Sequence, residues 1–468
     1  MKDLPVTRDT TAHIPIRDAA DAAERVRQAP HDFVKVALTD MDGLLRGKYM
    51  HRDKFLSALD EGFGLCDVVL GWDINDQLYD NITYTGWHTG FPDAPVRIVP
   101  ETGRQLPFEE DCWLFQCAFE GPAAAICPRG VLSRVLARAG AMGFGVRAGF
   151  EYEFFVFAET LASARAKGFR DMVPVAPGNT GYSLLRQTSL RPLYVDIFDS
   201  MSAMGIGLEG LHEEMGAGVM EAAIQADGAL AAADKASLFK TFTKAIVQDR
   251  DLLATFMAKW NMKEAGQSGH LHLSLTTADG EDNAFHDPVA DHSIGATMRR
   301  FIGGQQAHMA ELTAMVAPTV NSYRRLIPGL WAPTDATWGI DNRTCAIRVL
   351  PGAPKAHRIE YRVPGADANP YLVAAAAIAS GLHGIAHGIE PSAAITGNAY
   401  DRDHPAHFRL PSHLAAAGEC FRESAMAREW FGDAFVDHFA ASRDWEVRQV
   451  PMEPEIGTAE LERYFELI

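Results

Sequence analysis

At 468 residues, 47% hydrophobic and 22% charged, the chain has the composition of a globular protein, with enough length for roughly two to three domains and a large core. Its 61 acidic residues against 43 basic ones give a formal charge of -18, which argues against non-specific binding to nucleic acid or to an anionic membrane; an anionic substrate would need a local cluster of Arg, Lys or metal. The longest apolar stretch, Leu372 to Leu382, is too short to span a bilayer, and the N-terminus lacks a charged-then-apolar export signal, so a cytoplasmic location is expected.

In chain order, residues 1 to 17 read as a loose arm and Asp18 to Gln28 as a short amphipathic helix, together an N-terminal segment of residues 1–30. Phe33 to Leu38 is strand-like, Thr39 to Gly43 turns, and Leu44 to Tyr49 returns, which predicts a hairpin. A helix over Asp53 to Glu61 and strands at Val96–Val99 and Cys112–Phe119 complete a small unit of mainly antiparallel strands, residues 31–122. Gly43 to Lys48 has the wrong spacing for a phosphate loop, and Gly216-Ala217-Gly218 lacks the third glycine of a dinucleotide fingerprint. The six cysteines are scattered without a C-x-x-C pair, which speaks against a zinc ribbon or a disulfide framework.

The second unit, residues 123–468, is expected to open with a helix from Val131 to Met142 and then the strand Phe150 to Phe157. Side chains alternate along a strand, so Glu151 and Glu153 share one face while Tyr152, Phe154 and Val156 share the other. An isolated E-x-E is ordinarily a wet strand face; two carboxylates backed by an aromatic core otherwise need a cation or strong donors between them. His212 to Ile224, broken by Gly216 and Gly218, predicts a hairpin that lets Glu214 and Glu221 face each other. A long helix is expected over Leu230–Met257 and a second over roughly Ile294–Val316. Between them, His270 to Leu275 puts His270, His272 and Ser274 on one face and three leucines on the other. Arg358 to Val363 puts Arg358, Glu360 and Arg362 on one face, and Asn369 to His387 is helical.

Glu151, Glu153, Glu214, Glu221, Glu360 and His270 form a mostly oxygen-donor set suited to Mg2+ or Mn2+ rather than zinc or copper. Arg325, Arg343, Arg348, Arg358, Arg362 and Lys355 supply an equally dense positive set. Metals beside guanidinium groups are what phosphoryl transfer from a nucleoside triphosphate requires.

These segments, in this order, resemble the glutamine synthetase family from Phe33 to Tyr464. The resemblance is carried by Glu151-Tyr152-Glu153-Phe154-Phe155, Ser268 to Leu275, Arg325-Leu326-Ile327-Pro328-Gly329, Asp341-Asn342-Arg343 through Arg348, and Pro354-Lys355 through Arg362. It implies an α+β protein with an N-terminal β-grasp domain and a C-terminal α/β catalytic domain on a curved antiparallel sheet. It also implies a homo-oligomeric double ring, a dodecamer, with active sites shared between subunits, and an ATP-dependent ligase that phosphorylates the γ-carboxylate of glutamate and lets an amine displace the phosphate. Carried over residue by residue, Glu153, Glu214 and Glu221 would hold one metal, and Glu151, His270 and Glu360 the other. His272, Ser274, Lys355 and Arg358 match nucleotide-binding positions, and Arg348 one that touches the transferred phosphoryl group. Arg325, Arg343 and Arg362 match positions around glutamate and the acyl phosphate, with Gly266 lining the pocket. Asp40 matches the carboxylate that receives the incoming ammonium in the next subunit's site, with Asp67 nearby.

The sequence departs from that pattern at Trp331, where ammonia-using members carry a glutamate two residues after the Pro-Gly of Arg325 to Gly329. An indole cannot act as a base, but it can stack on an amine. The substitution points to an organic amine, alkyl, polyamine or aryl, in place of ammonia. Val219 and Ala265 also replace a glutamine and an asparagine usual in the family.

Overall fold

The computed structural model describes residues 13–451 and 453–468, so most of the expected N-terminal arm lies outside the described residues. The helix after it spans Ala19–Gln28, capped by the Asp18 side chain on the Asp21 amide.

The first sheet contains β1 (Phe33–Thr39), β2 (Leu45–His51), β3 (Phe63–Cys66), β4 (Asp93–Ile98), β5 (Arg104–Leu106) and β6 (Cys112–Phe119). Its order is β2-β1-β6-β4-β3, with β5 on β6. The β1–β2 hairpin forms as the sequence predicts, but its first strand lies parallel to β6, so the unit is mixed at its centre. β6 is buried along its whole length, which fits an unbroken apolar run lying inside a sheet.

The second sheet contains β7 (Phe144–Phe157), β8 (Leu208–Glu213), β9 (Val219–Ile224), β10 (Asp227–Gly228), β11 (Leu253–Thr255), β12 (Gly269–Thr277), β13 (Trp338–Ile340), β14 (Ile347–Leu350) and β15 (Arg358–Tyr361). Its order is β13-β14-β15-β12-β7-β9-β8, with β10 and β11 on β7, and every pairing but β13–β14 is antiparallel. The apolar face carries Phe150, Tyr152, Phe154, Leu271, Leu273 and Leu275, all 2% exposed or less. Tyr152 and Phe154 pack on Phe239 and Phe256 with ring centroids 5.1 to 6.2 Å apart.

Two expected helices are shorter than their apolar spacing suggests. The first runs Ala229–Gln248, then turns through Asp251 at φ 56°, and Leu253–Thr255 joins the sheet as β11. The second is divided into Ala296–His308 and Thr313–Val316. In the first case exposed Gln248, Asp249 and Asp251 interrupt the run before burial resumes at Leu253, and the apolar spacing on either side does not distinguish one core helix from a helix followed by a core strand. The helix Pro370–His387 is buried on almost every side, starts with proline at its first position, and is capped by Asn369.

Candidate active site

Strand register builds the site. Glu153 lies opposite Glu221, Glu151 opposite His270, His272 opposite Glu360, and Glu360 opposite Arg348. Four neighbouring strands, β9, β7, β12 and β15, therefore turn their polar alternates onto the face opposite the leucine and aromatic core. A cavity of about 520 Å3 opens there, lined by the five glutamates expected from the sequence, Glu151, Glu153, Glu214, Glu221 and Glu360, with His270, Gly266, Trp331, Arg343, Arg348 and Arg362.

The carboxylates are crowded. Glu221 is 9% exposed; burial, and then the charges of Glu151, Glu153, Glu214 and Glu360, push its carboxyl up to about 10. Burial also works against ionised Glu360, but His270, Arg362 and His272 outweigh it and hold that group at about 2. Arg348 Nη1 lies 2.8 Å from Glu360 Oε2, and Arg362 pairs with the other oxygen.

Two groups of donor atoms, each within 4.8 Å of one another, could hold a cation: Glu151, His272 and Glu360, and His212, Glu214 and Glu221. The first differs from the expected set in its histidine. His270 is close as well, with Nδ1 3.2 Å from Glu151 and 3.4 Å from Glu360, while its buried Nε2 has no partner. The second contains His212, which sequence reasoning passed over although it shares a strand face with Glu214 by the same alternation. His212 Nε2 sits 3.4 Å from Glu214 and 3.3 Å from Glu221. Glu214 itself lies one residue beyond β8, so the residue opposite Glu221 in the hairpin is His212. Glu153 accepts the Ser268 amide and belongs to neither compact group. Oxygen-rich donors, a mutually repelling acid cluster and an orphaned imidazole nitrogen fit hard divalent cations.

Other expected site residues lie at different distances from this face. Arg358 Nε donates to His272 Nδ1 at 3.2 Å, Ser274 follows on β12, and Lys355 is exposed beside them; these three do not line the cavity. Arg325 lies just behind the cavity wall, against Gly266. At 2% exposure its guanidinium donates to the Val363 carbonyl (2.8 Å), the Ser268 hydroxyl (2.9 Å) and the Arg362 carbonyl (3.1 Å). Gly266 is needed above it, because a Cβ there would lie 2.6 Å from Arg325 Cγ. Asp40 is not in the cavity of its own chain. It accepts the Asp42 and Leu44 amides and the Arg46 guanidinium, whereas Asp67 accepts only the Thr85 hydroxyl, at 2.6 Å. Of the two replaced positions, Ala265 lines the cavity and Val219 is buried away from it.

Tyr182, Met215 and Leu330 also line the cavity and carried no signal in the sequence reading. The Tyr182 ring stacks on His212, centroids 4.4 Å apart and 15° between planes.

Residues 125–464 match the model of the family described as glutamine synthetase, catalytic domain. The chain belongs to the glutamine synthetase family. Among curated members of the family it is similar to type-1 glutamine synthetase 2 of Dictyostelium discoideum, 40% identical over 95% of this chain and 85% of the relative. It is also similar to a glutamate–isopropylamine ligase of a Pseudomonas species, 35% identical over 93% and 95% of the two chains. A solved GmaS/ADP complex superposes with a TM-score of 0.79 at 27% identity, covering 91% of this chain and 95% of that one. The second sheet and the polar face described above lie within the matched catalytic region, and the first sheet precedes it.

Proposed function

We propose that the protein is an ATP-dependent ligase that joins the γ-carboxylate of glutamate to an organic amine through γ-glutamyl phosphate. The observation that carries this reading is Trp331 in the wall of the acidic cavity, half exposed, where the resemblance to ammonia-using members calls for a carboxylate. The isopropylamine ligase and the ADP complex among the similar proteins support it.

Glu151, His270 or His272 and Glu360 would hold one Mg2+ or Mn2+, and Glu153, Glu214 and Glu221, with His212, the other. When bound, these ions neutralise phosphate and carboxylate oxygens during phosphoryl transfer. Arg348 and Arg343 face the cavity and would stabilise the charge on the transferred phosphoryl group, while Arg362 and the Gly266 backbone would seat the amino acid. His272, Ser274, Lys355 and Arg358 would meet the nucleotide. The γ-phosphoryl group passes to the carboxylate oxygen and ADP leaves with the electron pair of the broken P–O bond. The amine nitrogen then bonds to the acyl carbon, phosphate departs with the C–O pair, and the amine loses one proton. Either Asp40 or Asp67 would receive the amine's cation from a neighbouring subunit; Asp67 has more uncommitted lone pairs.

The test is phosphate release from ATP with glutamate, comparing ammonium with a panel of primary amines in Mg2+ or Mn2+. Saturation by low ammonium with indifference to amines would return the protein to ordinary glutamine synthesis. No turnover with any amine would leave a catalytically silent ring. A double ring with sites between subunits is part of the same proposal and is checked by light scattering of the purified protein. So is a cytoplasmic location, checked by cell fractionation; no helix among the described residues is long and apolar enough to cross a membrane.

A further inference from the structure

We infer that the amine accepted here is a primary monoamine with an apolar substituent, and that Met215, Leu330 and Trp331, with the Tyr182 ring, form the surface that receives the substituent. This rests on the ligase reading above and narrows its substrate class. Large apolar side chains are exposed at few places on the described surface, and four of them border this one cavity. Tyr182 is 66% exposed, Trp331 50%, Leu330 48% and Met215 41%. Exposed apolar groups gathered at the rim of a polar cavity mark a surface that a ligand covers. Tyr182 and Trp331 both sit at positive φ, 59° and 60°, where bulky side chains are rare, so the backbone holds both rings out into the opening at a conformational cost.

Charge selects the class of substituent. The cavity's carboxylates lie at its floor among His270, His272, His212, Arg348 and Arg362, where the proposed function commits them to the two divalent cations. None of this chain's own carboxylates stands among the apolar side chains for a second ammonium, and the neighbouring subunit's aspartate is taken up by the reacting nitrogen. A diamine would therefore bring its far cation against indole, thioether and isobutyl groups with no anion to pair with, and desolvating it there is unfavourable. A methylene in the same place gains from leaving water.

The experiment measures kcat/KM of the full-length protein for methylamine, ethylamine, propylamine, butylamine and 1,4-diaminobutane at saturating ATP and glutamate, with ammonium in parallel. The expected result is a rise of about fourfold per methylene, the value of one buried CH2. 1,4-Diaminobutane should fall at least about tenfold below butylamine, which differs only in lacking the terminal charge. Trp331→Ala should flatten the series to about twofold per methylene, and Trp331→Glu should shift the butylamine to diaminobutane ratio at least about tenfold toward the diamine. Both readouts are ratios within one preparation, so a lower yield of folded variant cancels. Diaminobutane equal to or better than butylamine, or a flat series with organic amines still turned over, overturns the inference while the ligase reading stands. An unchanged slope in Trp331→Ala overturns the role given to the rim. Turnover with ammonium alone removes the ligase reading, and the inference with it.

Discussion

Glu221 bears the charge crowding of the polar face most heavily. Its carboxyl, raised by burial and by four neighbouring carboxylates, keeps a proton that the unfolded chain would have released, so above about pH 4.5 the group destabilises the metal-free fold progressively up to about pH 10. Glu221→Gln should remove that penalty. At pH 8 the variant is expected to melt about 1–3 °C higher than wild type in EDTA, yet to lose most of the stabilisation that Mn2+ gives wild type, as read by thermal melts with and without metal. Gly266→Ala tests the other side of the pocket. With Arg325 buried beneath it and committed to three acceptors, the added methyl cannot be relieved by a swing of the arginine, and a cost of about 1–3 kcal/mol with a raised KM for glutamate is expected. At this scale the sequence was informative where period-two alternation applied: Glu151, Glu153, Glu221, His270 and Glu360 all reach one cavity. The burial of Arg325 was not legible, because a charged side chain gives no local sign of donating to carbonyls 37 and 38 residues away. His212 obeys the same alternation as Glu214 and was legible in it.

Among elements, the strands were easier to read than the helices. β12 alternates histidine and leucine so strictly that its faces follow from the sequence, and the structure buries Leu271, Leu273 and Leu275 at 1% or less. In the run from Leu230 to Met257 the helix and β11 are separated by the polar stretch Gln248-Asp249-Arg250-Asp251, a legible break that the helical spacing of the apolar residues on either side concealed. The helices Ala296–His308 and Pro370–His387 cross through glycines: a Cβ on Gly304 would lie 2.1 Å from the Ser380 carbonyl, and one on Gly384 2.2 Å from the Arg300 carbonyl. Both obstacles are backbone, so neither can yield without moving a helix. Gly304→Ala or Gly384→Ala should cost about 3 kcal/mol or more in urea unfolding, well above a typical surface Gly→Ala, which is neutral or stabilising in a helix.

For the whole molecule, the small N-terminal sheet is tied to the C-terminal helices by buried charge. Arg443, 1% exposed, places Nη2 2.7 Å from Asp42 in the β1–β2 turn and Nη1 2.7 Å from the Pro318 carbonyl. Arg463 joins Asp73 to Glu446 in the same way. Arg443→Met leaves Asp42 buried without its cation and should cost about 3–5 kcal/mol, while the double change with Asp42→Asn should recover more than half of it. The same seam holds His438, whose Nε2 faces the Leu70 carbonyl at 2.8 Å and whose burial lowers its pKa from 6.5 to about 4. The unfolded chain takes up a proton there that the folded protein refuses, so stability is intact above pH 6.5 and declines as the pH falls toward 4. His438→Gln should flatten that decline by about 3 kcal/mol, seen in melting curves across this window. None of these long-range pairings has a local signature; Asp42 and Arg443 are 401 positions apart.

The cap of the central helix joins both units, since Asn369 donates to the Asp40 and Met41 carbonyls of the hairpin while receiving the Tyr371 amide that starts Pro370–His387. Unzipping the turn therefore uncaps the most deeply buried helix. Deuterium uptake should reflect this: amides of that helix and of residues 40–44 should exchange in one slow cooperative event, long after the outer strands have labelled.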